Sequence, residues 1–573
     1  MGKALSVKPR LDTYRICRIL LVIAAVLMNI KYIFTDFGID AEFQISMSYR
    51  LATGDIMFKE MWEPYQMSAF LCAFFIKLYL ELFKTTTGIV LYLQVIGVLL
   101  DAGVSLLLYQ TIRKHLNSEK TAFLMAWVFF LVAPKDIPLA DYTNMQMWFS
   151  LLLCIFLFLQ YKTGKKRFLV PAALSLCGAV LSYPSCLLLY LGVVGILLYR
   201  KEVQSALIVT GICALVGGLY LCMIFSQVPI NEFIDVIHNM LAIETSHSMG
   251  IGMRFWLYCK DIAKIAFVFA IAYGISFVGI RVFLYKKIGN KSTCGILADA
   301  VFVLISIIIG LYTVICWKDY IRYSYSIVFL ILIVIGLKYV RKLSADKKYF
   351  YLCGIIISFL QFVSALLLTN LVFVASVPFL LIAVVVSFLP LGEAFKMIVG
   401  PKYVNTFIKV CLIIGIAALM FRNVYIIRPM QGDVSTILYI RSVVKEGPAI
   451  GIISEYMGPY IQNESMREWK EYIQDGQSIY LIGGALDTMG YLYADTEIAA
   501  PSLVPTPGYN EAILDYWEEN PEKYPDVIVA SCWYGELSSE ITEDSWIMQW
   551  IEEEYCPAYY IDGKYWRYYF KEY

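Results

Sequence analysis

The chain is 573 residues long, 60% hydrophobic and only 16% charged, with a mean hydropathy of +0.66. Soluble domains carry about 45–50% apolar and about 25% charged residues, so this composition excludes a water-soluble enzyme or a disordered chain and indicates an integral membrane protein. The 47 Lys and Arg almost cancel the 46 Asp and Glu, yet from Pro429 to Tyr573 there are 25 acidic and 8 basic residues, leaving 39 basic and 21 acidic upstream.

Upstream of Pro429 the basic residues sit in short loops between apolar runs and form no continuous stripe, which argues against a nucleic-acid partner. Twelve of the 14 Cys fall there too, nearly all in apolar runs, where Cys behaves as a small hydrophobe. Cys532 and Cys556 are alone in the tail and are expected to pair only in an oxidising compartment. The run Ile16 to Ile30 lacks a small-residue cleavage site and is read as a first span, not a cleavable signal.

In chain order, the expected membrane helices are 16–34, 88–112, 120–134, 144–161, 168–183, 184–199, 204–226, 260–284, 296–316, 323–340, 349–369, 371–389 and 404–424, thirteen in all. The apolar stretch Met67 to Phe83 carries Lys77 and Glu81 and is assigned to the surface. The positive-inside rule supports this, because it gathers 25 of the 39 upstream Lys and Arg on the side of the amino terminus. The amino terminus is then cytoplasmic, and the odd number of spans puts the tail outside.

The segments expected outside are 35–87, 135–143, 227–259, 317–322 and the tail. The first of them holds Asp40-Ala41-Glu42 just after the first span, then Tyr49-Arg50-Leu51-Ala52-Thr53-Gly54-Asp55, then Trp62-Glu63-Pro64-Tyr65. Asp40 stands where Asp often caps a helix, a role compatible with acting as a base. Asp141, in Leu139-Ala140-Asp141-Tyr142-Thr143, stands at another span mouth and has the same capping alternative. The loop 227–259 holds His238, His247 and Arg254, and the turn 317–322 places Lys318 and Arg322 on either side of Tyr320. Lys318 and Arg322 suit a charge-assisted contact to a phosphate, with interfacial snorkelling or pairing to Asp319 as the alternative.

Beyond Pro429 the pattern becomes that of a small α/β domain. Ala449–Ser454, Ser478–Gly484 and Val527–Ser531 read as strands, and Tyr509–Glu519 as a helix. Six of the 11 Trp lie here, where packing and stacking on sugar faces both account for them.

An acidic first outer loop with two juxtamembrane helices, about thirteen spans, a cytoplasmic amino terminus and an outer tail together resemble the GT-C superfamily of polyprenyl-phosphate-sugar-dependent glycosyltransferases. The similarity is to bacterial aminoarabinose and protein mannosyl transferases. It implies an α-helical polytopic membrane domain over 1–428 and an extracytoplasmic α/β domain over 429–573. It also implies a bacterial plasma-membrane enzyme that moves one sugar, with inversion, from a polyprenyl phosphate to a glycan, lipid or protein acceptor of the envelope. The family's catalytic Asp corresponds to Asp40 with Glu42 beside it, although the usual adjacent Asp-Glu pair reads Asp-Ala-Glu here. Asp141 corresponds to a site-bordering Asp, with Tyr142 where Pro often follows, and His247 and Arg254 to donor-phosphate contacts. The chemistry agrees: a sugar phosphate already has a good leaving group, so one carboxylate and a few cations suffice. No metal is required on this reading, and a divalent cation is not favoured. Phosphate-loop, zinc-hydrolase and Cys-x-x-Cys patterns are all absent. The competing readings are a flippase or exporter, and a polymerase or ligase, of lipid-linked saccharides.

Overall fold

The computed structural model describes residues 13–35, 38–133, 137–247, 250–283, 291–316, 321–368, 373–397, 402–427, 435–482, 488–503, 507–537 and 546–571. Up to residue 425 it is almost entirely helical. The helices are α1 (Thr13–Phe34), α2 (Gly38–Thr53), α3 (Ala69–Phe83), α4 (Ile89–Leu116), α5 (Glu119–Leu131), α6 (Tyr142–Thr163), α7 (Leu169–Ser182) and α8 (Leu187–Tyr199). Then follow α9 (Val203–Phe225), α10 (Ile230–His247), α11 (Ile251–Phe283), α12 (Lys291–Cys316), α13 (Ile321–Tyr339), α14 (Ala345–Leu368), α15 (Leu381–Lys396) and α16 (Lys402–Tyr425).

Twelve of the thirteen expected spans fall on one of these helices, and 371–389 takes in a short helix (Phe373–Ser376), a 3-10 turn (Val377–Leu380) and the first half of α15. Among the described residues, 10 helices are long and apolar enough to cross a membrane. One of the ten is Gln66–Phe83, the stretch assigned to the surface from its charges. Phe74, Leu78 and Leu82 face outward on it beside the exposed Lys77 and Glu81, so apolar and charged groups share one face. Conversely, α5, α7 and α8 have only 13 or 14 residues. At 1.5 Å per residue that is about 20 Å, less than the roughly 30 Å of a bilayer core. The break between α7 and α8 is set by Pro184, which holds Tyr183 in an extended conformation (ψ 98°).

Helices α6 and α15 form the interior, whereas α9, α11 and α16 show long apolar side chains outward, as lipid-facing helices do. Two polar pairs inside the bundle show how such groups meet where hydrocarbon offers no substitute for water. Gln361 donates to Ser150 Oγ at 2.6 Å, and Asp101 accepts from the Trp148 indole at 2.7 Å.

After β1 (Ile426–Ile427) the chain turns to strands. These are β2 (Ser435–Thr436), β3 (Ser442–Val443), β4 (Ile453–Ser454), β5 (Ser478–Ile482), β6 (Glu497–Ile498), β7 (Val527–Trp533), β8 (Glu536–Leu537), β9 (Tyr559–Asp562) and β10 (Trp566–Phe570). The main sheet has the order β6-β5-β7-β10-β9. β5 pairs in parallel with β6 and β7, and β10 pairs antiparallel with β7 and β9. Helices α17 (Met457–Tyr472) and α18 (Pro507–Glu519) complete this small domain. Trp469, Trp517, Trp550 and Trp566 are buried in it, and Trp533 and Trp546 are not. Cys532 and Cys556 do not pair; each thiol donates instead to a nearby carbonyl.

The tail lies on the first loop, on the side of the bundle where α1 ends and α4 begins. Thr35 forms a parallel bridge with Ile453, and the Trp62 amide donates to Pro501 O at 2.8 Å. Ser46 donates to Thr488 O at 2.9 Å. At the centre of this joint Arg50, 1% exposed, holds Asp55 at 2.6 Å, Glu63 at 3.0 Å and the Glu60 carbonyl at 2.5 Å. Lys523 from the tail takes the other oxygen of Asp55 at 2.8 Å. Burial alone would discharge Arg50, but Glu63 and Asp55 outweigh it and hold the guanidinium more firmly charged than usual. Lys523 is treated alike: burial lowers its pKa, Asp55 raises it, and the net direction is up.

Candidate functional site

Gly38 opens α2 at φ +60°, which turns the chain from the end of α1 into a helix whose first turn carries Asp40. A carboxylate in a first turn is favoured by the unpaired amides and the dipole there. Asp40 and Gln44 stand four apart, so both side chains leave α2 on one face. That face meets the start of α6. The Tyr142 hydroxyl donates to Asp40 Oδ1 at 3.2 Å, and the Tyr142 amide donates to Gln44 Oε1 at 3.3 Å. Gln44 is fixed in turn by Ser68, whose hydroxyl donates to the same Oε1 at 3.2 Å.

Tyr142, which bonds this carboxylate, belongs to a stack of three tyrosines from three separate elements. Tyr65 of the first loop stacks on Tyr142 with ring centres 5.0 Å apart and planes 10° apart. Tyr183, at the Pro184 break, stacks on Tyr65 at 5.5 Å and on Tyr142 at 6.0 Å. Asp40, Tyr65 and Tyr142 are half-buried, so the group is partly accessible, while Tyr183 is buried behind it. The arrangement offers a carboxylate able to take a proton, phenols able to bond hydroxyl groups, and flat rings against which an apolar face can rest.

Asp141 caps α6. Its side chain accepts from the Asn144 amide at 2.8 Å, and Asn144 Nδ2 holds the carbonyls of Ile137 and Leu139, each at 2.7 Å. Gly97 lets the 137–141 segment lie close against α4, since a Cβ there would meet Pro138 O at 2.5 Å. Asp141 thereby sets the position of Tyr142. Glu42 is fully buried and leaves α2 roughly 200° around the helix from Asp40, on another face.

Of the expected phosphate ligands, Arg254 alone has a described side chain. Arg254 is half-buried on α11 and bonds the side chain of Tyr258, which ties α11 to Leu366 of α14. His247 ends α10 and Arg322 lies in the first turn of α13, with side chains outside the described residues, as is the whole of Lys318. Among the described residues no three His, Cys, Asp or Glu are placed to hold a metal ion.

The residues that sequence reasoning did not assign to the site are Gln44, Tyr65, Tyr142 and Tyr183. Tyr65 and Tyr183 each adjoin a Pro that breaks the pattern, and Tyr142 stands where the resemblance expects Pro, so all three positions were marked without their roles being evident.

The search of solved structures finds similarity to the oligosaccharyltransferase of Archaeoglobus fulgidus, described in complex with Zn and sulfate. The identity is 14%, over 89% of this chain and 68% of that one, with a TM-score of 0.46. Similarity also extends to the archaeal oligosaccharyltransferase AglB from Archaeoglobus fulgidus, in complex with an inhibitory peptide and a dolichol-phosphate. There the identity is 10%, over 91% of this chain and 70% of that one, with a TM-score of 0.40. Similarity at this distance does not carry a residue's role from one chain to the other. No family model and no curated protein matches.

Proposed function

We propose that the protein is an extracytoplasmic glycosyltransferase that moves a single sugar from a polyprenyl-phosphate donor to a cell-envelope acceptor and inverts the anomeric carbon in one displacement. The observation that carries this reading is the half-buried Asp40 carboxylate at the start of α2, bonded by Tyr142, whose ring stacks on Tyr65. Asp40 removes the proton from the acceptor hydroxyl as that oxygen bonds to the anomeric carbon, and the polyprenyl phosphate leaves with the bonding pair. Tyr142 orients the carboxylate, and Tyr65 and Tyr142 border the sugar. Lys318, Arg322, Arg254 and His247 are the basic groups assigned to the donor phosphate. Asp141 acts through Tyr142, and Glu42 supports the first loop from behind. Residues 1–428 form the catalytic membrane unit, and 429–573 cover it from outside.

The test uses purified protein in lipid vesicles offered a panel of polyprenyl-phosphate sugars, with Asp40→Asn beside the native chain. Donor consumption should fall by about 10²–10⁴ in the variant while donor binding persists. A variant as active as the native protein, or no donor bound or consumed, overturns the reading and favours a flippase or a polymerase.

A further inference from the structure

We propose that an exposed aromatic shelf on the tail, formed by Tyr456, Tyr460, Trp533 and Tyr534 around Lys564, is a binding subsite for an uncharged saccharide chain of the acceptor. The proposal rests on the glycosyltransferase reading and adds the chemical class of what is glycosylated.

The shelf is continuous. Tyr456 and Tyr460 stack at 5.4 Å with planes 14° apart. Lys564 donates to the Tyr460 hydroxyl at 2.7 Å, and its ammonium lies 4.7 Å from the Tyr460 ring centre and 5.3 Å from that of Tyr534. Trp533 follows, 5.5 Å from Tyr534. Tyr460 is half-buried against the core, but packing does not explain the exposure of the other three rings. Tyr456, Trp533 and Tyr534 are 55%, 48% and 64% exposed, whereas four other tryptophans of the same domain are at most 5% exposed.

Tyr534 also sits in a backbone conformation that tyrosine avoids. Trp533 pairs with Glu536, which leaves Tyr534-Gly535 as a two-residue hairpin loop with φ of 52° and 85°. Such a loop favours Asn or Gly at its first position, because a side chain at positive φ crowds the backbone. A bulky ring is therefore held outward at a local cost, and strain of this kind collects where a side chain is needed for binding.

Charge selects the occupant. The tail has 25 acidic against 8 basic residues, which repels polyanions and anionic lipid headgroups. A membrane-seating aromatic patch would carry unneutralised basic residues, whereas here Lys564 and Arg467 both face Glu464. A neutral sugar chain offers C–H faces to the rings and hydroxyls to Lys564, Glu464 and Arg467 along the edge. The start of the shelf lies beside the first loop: Ile453, three residues before Tyr456, pairs in parallel with Thr35.

The experiment takes the full-length protein in nanodiscs and measures binding of cellohexaose, chitohexaose and mannohexaose by calorimetry, with hexagalacturonate as the anionic probe. At least one neutral hexasaccharide should bind, at least about tenfold more weakly to Trp533→Ala and Tyr534→Asn, and unchanged to Trp546→Ala outside the shelf. Tyr534→Asn should keep or raise the melting temperature, which separates lost binding from lost folding. The proposal is overturned if no neutral probe binds, if hexagalacturonate binds as well, or if the two shelf variants bind like the native chain. Asp40→Asn should lose donor consumption yet bind the hexasaccharide normally. Should it keep donor consumption, the glycosyltransferase reading fails while the shelf is still judged by binding alone.

Discussion

Two clusters on the first loop, ten residues apart on the same helix, are built on opposite principles. Around Arg50 every side-chain charge is met by another: Glu63 and Asp55 bracket the guanidinium, and Lys523 closes the far side of Asp55. All four groups are buried. Around Asp40 the carboxylate is half-buried beside a phenol and stacked rings. A charge locked in a buried pair holds two segments together and resists any change of protonation. The first cluster is a joint, and the second is where the proposed function puts the chemistry.

Substitutions should separate the two in kind as well as size. Asp40→Asn should leave thermal stability within about 0.5 kcal/mol while donor consumption collapses, because the change is isosteric and lies away from the buried pairs. Arg50→Ala should cost about 3–5 kcal/mol, since it strands Glu63 in the interior and leaves Asp55 with Lys523 alone; a chemical-denaturation midpoint equal to that of the native chain would show that the joint is not a buried ion network.

The joint should also have an alkaline limit. Lys523 has a folded pKa above its ordinary 10.5, so its contribution is complete at neutral pH and is lost as pH rises through that folded value. Native protein should therefore lose more melting temperature above pH 10.5 than Lys523→Met does, and parallel curves would contradict this. The smallest effect belongs to Asp141. Asp141→Ala removes the α6 cap and should cost about 1 kcal/mol, with Asp141→Ser restoring most of it. If Asp141 positions Tyr142 and takes no proton itself, Asp141→Ser should restore donor turnover along with stability.

The joint and the site were unequally legible. Asp40 was legible from its place after a span, and Asp141 from its place before one, because capping and helix mouths are local features. The Arg50 network was missed because Lys523 is 468 residues from its partner and carries no local mark. Surface placement of 67–83 rests on Lys77, Glu81 and above all the positive-inside rule, whereas by length and apolarity alone Gln66–Phe83 has the makings of a span. Two charges lower mean hydropathy without preventing an otherwise apolar helix. In the tail, β5, β7 and α18 fell where the alternation and spacing placed them. Helix α17 and the β9–β10 hairpin did not emerge from the pattern, because their aromatic and charged residues suit strand and helix alike.

By itself the sequence determined that this is a helical membrane protein with a strand-bearing acidic tail, and that carboxylates stand at helix mouths. Length, hydropathy and charge depend on each segment alone, so they survive without knowledge of packing. Only the tertiary structure decided that Tyr142, 102 residues from Asp40, would bond it, and that Tyr65 and Tyr183 would stack above. Those contacts depend on how α2, α6 and the α7–α8 break meet in space, and no local period or composition encodes that meeting.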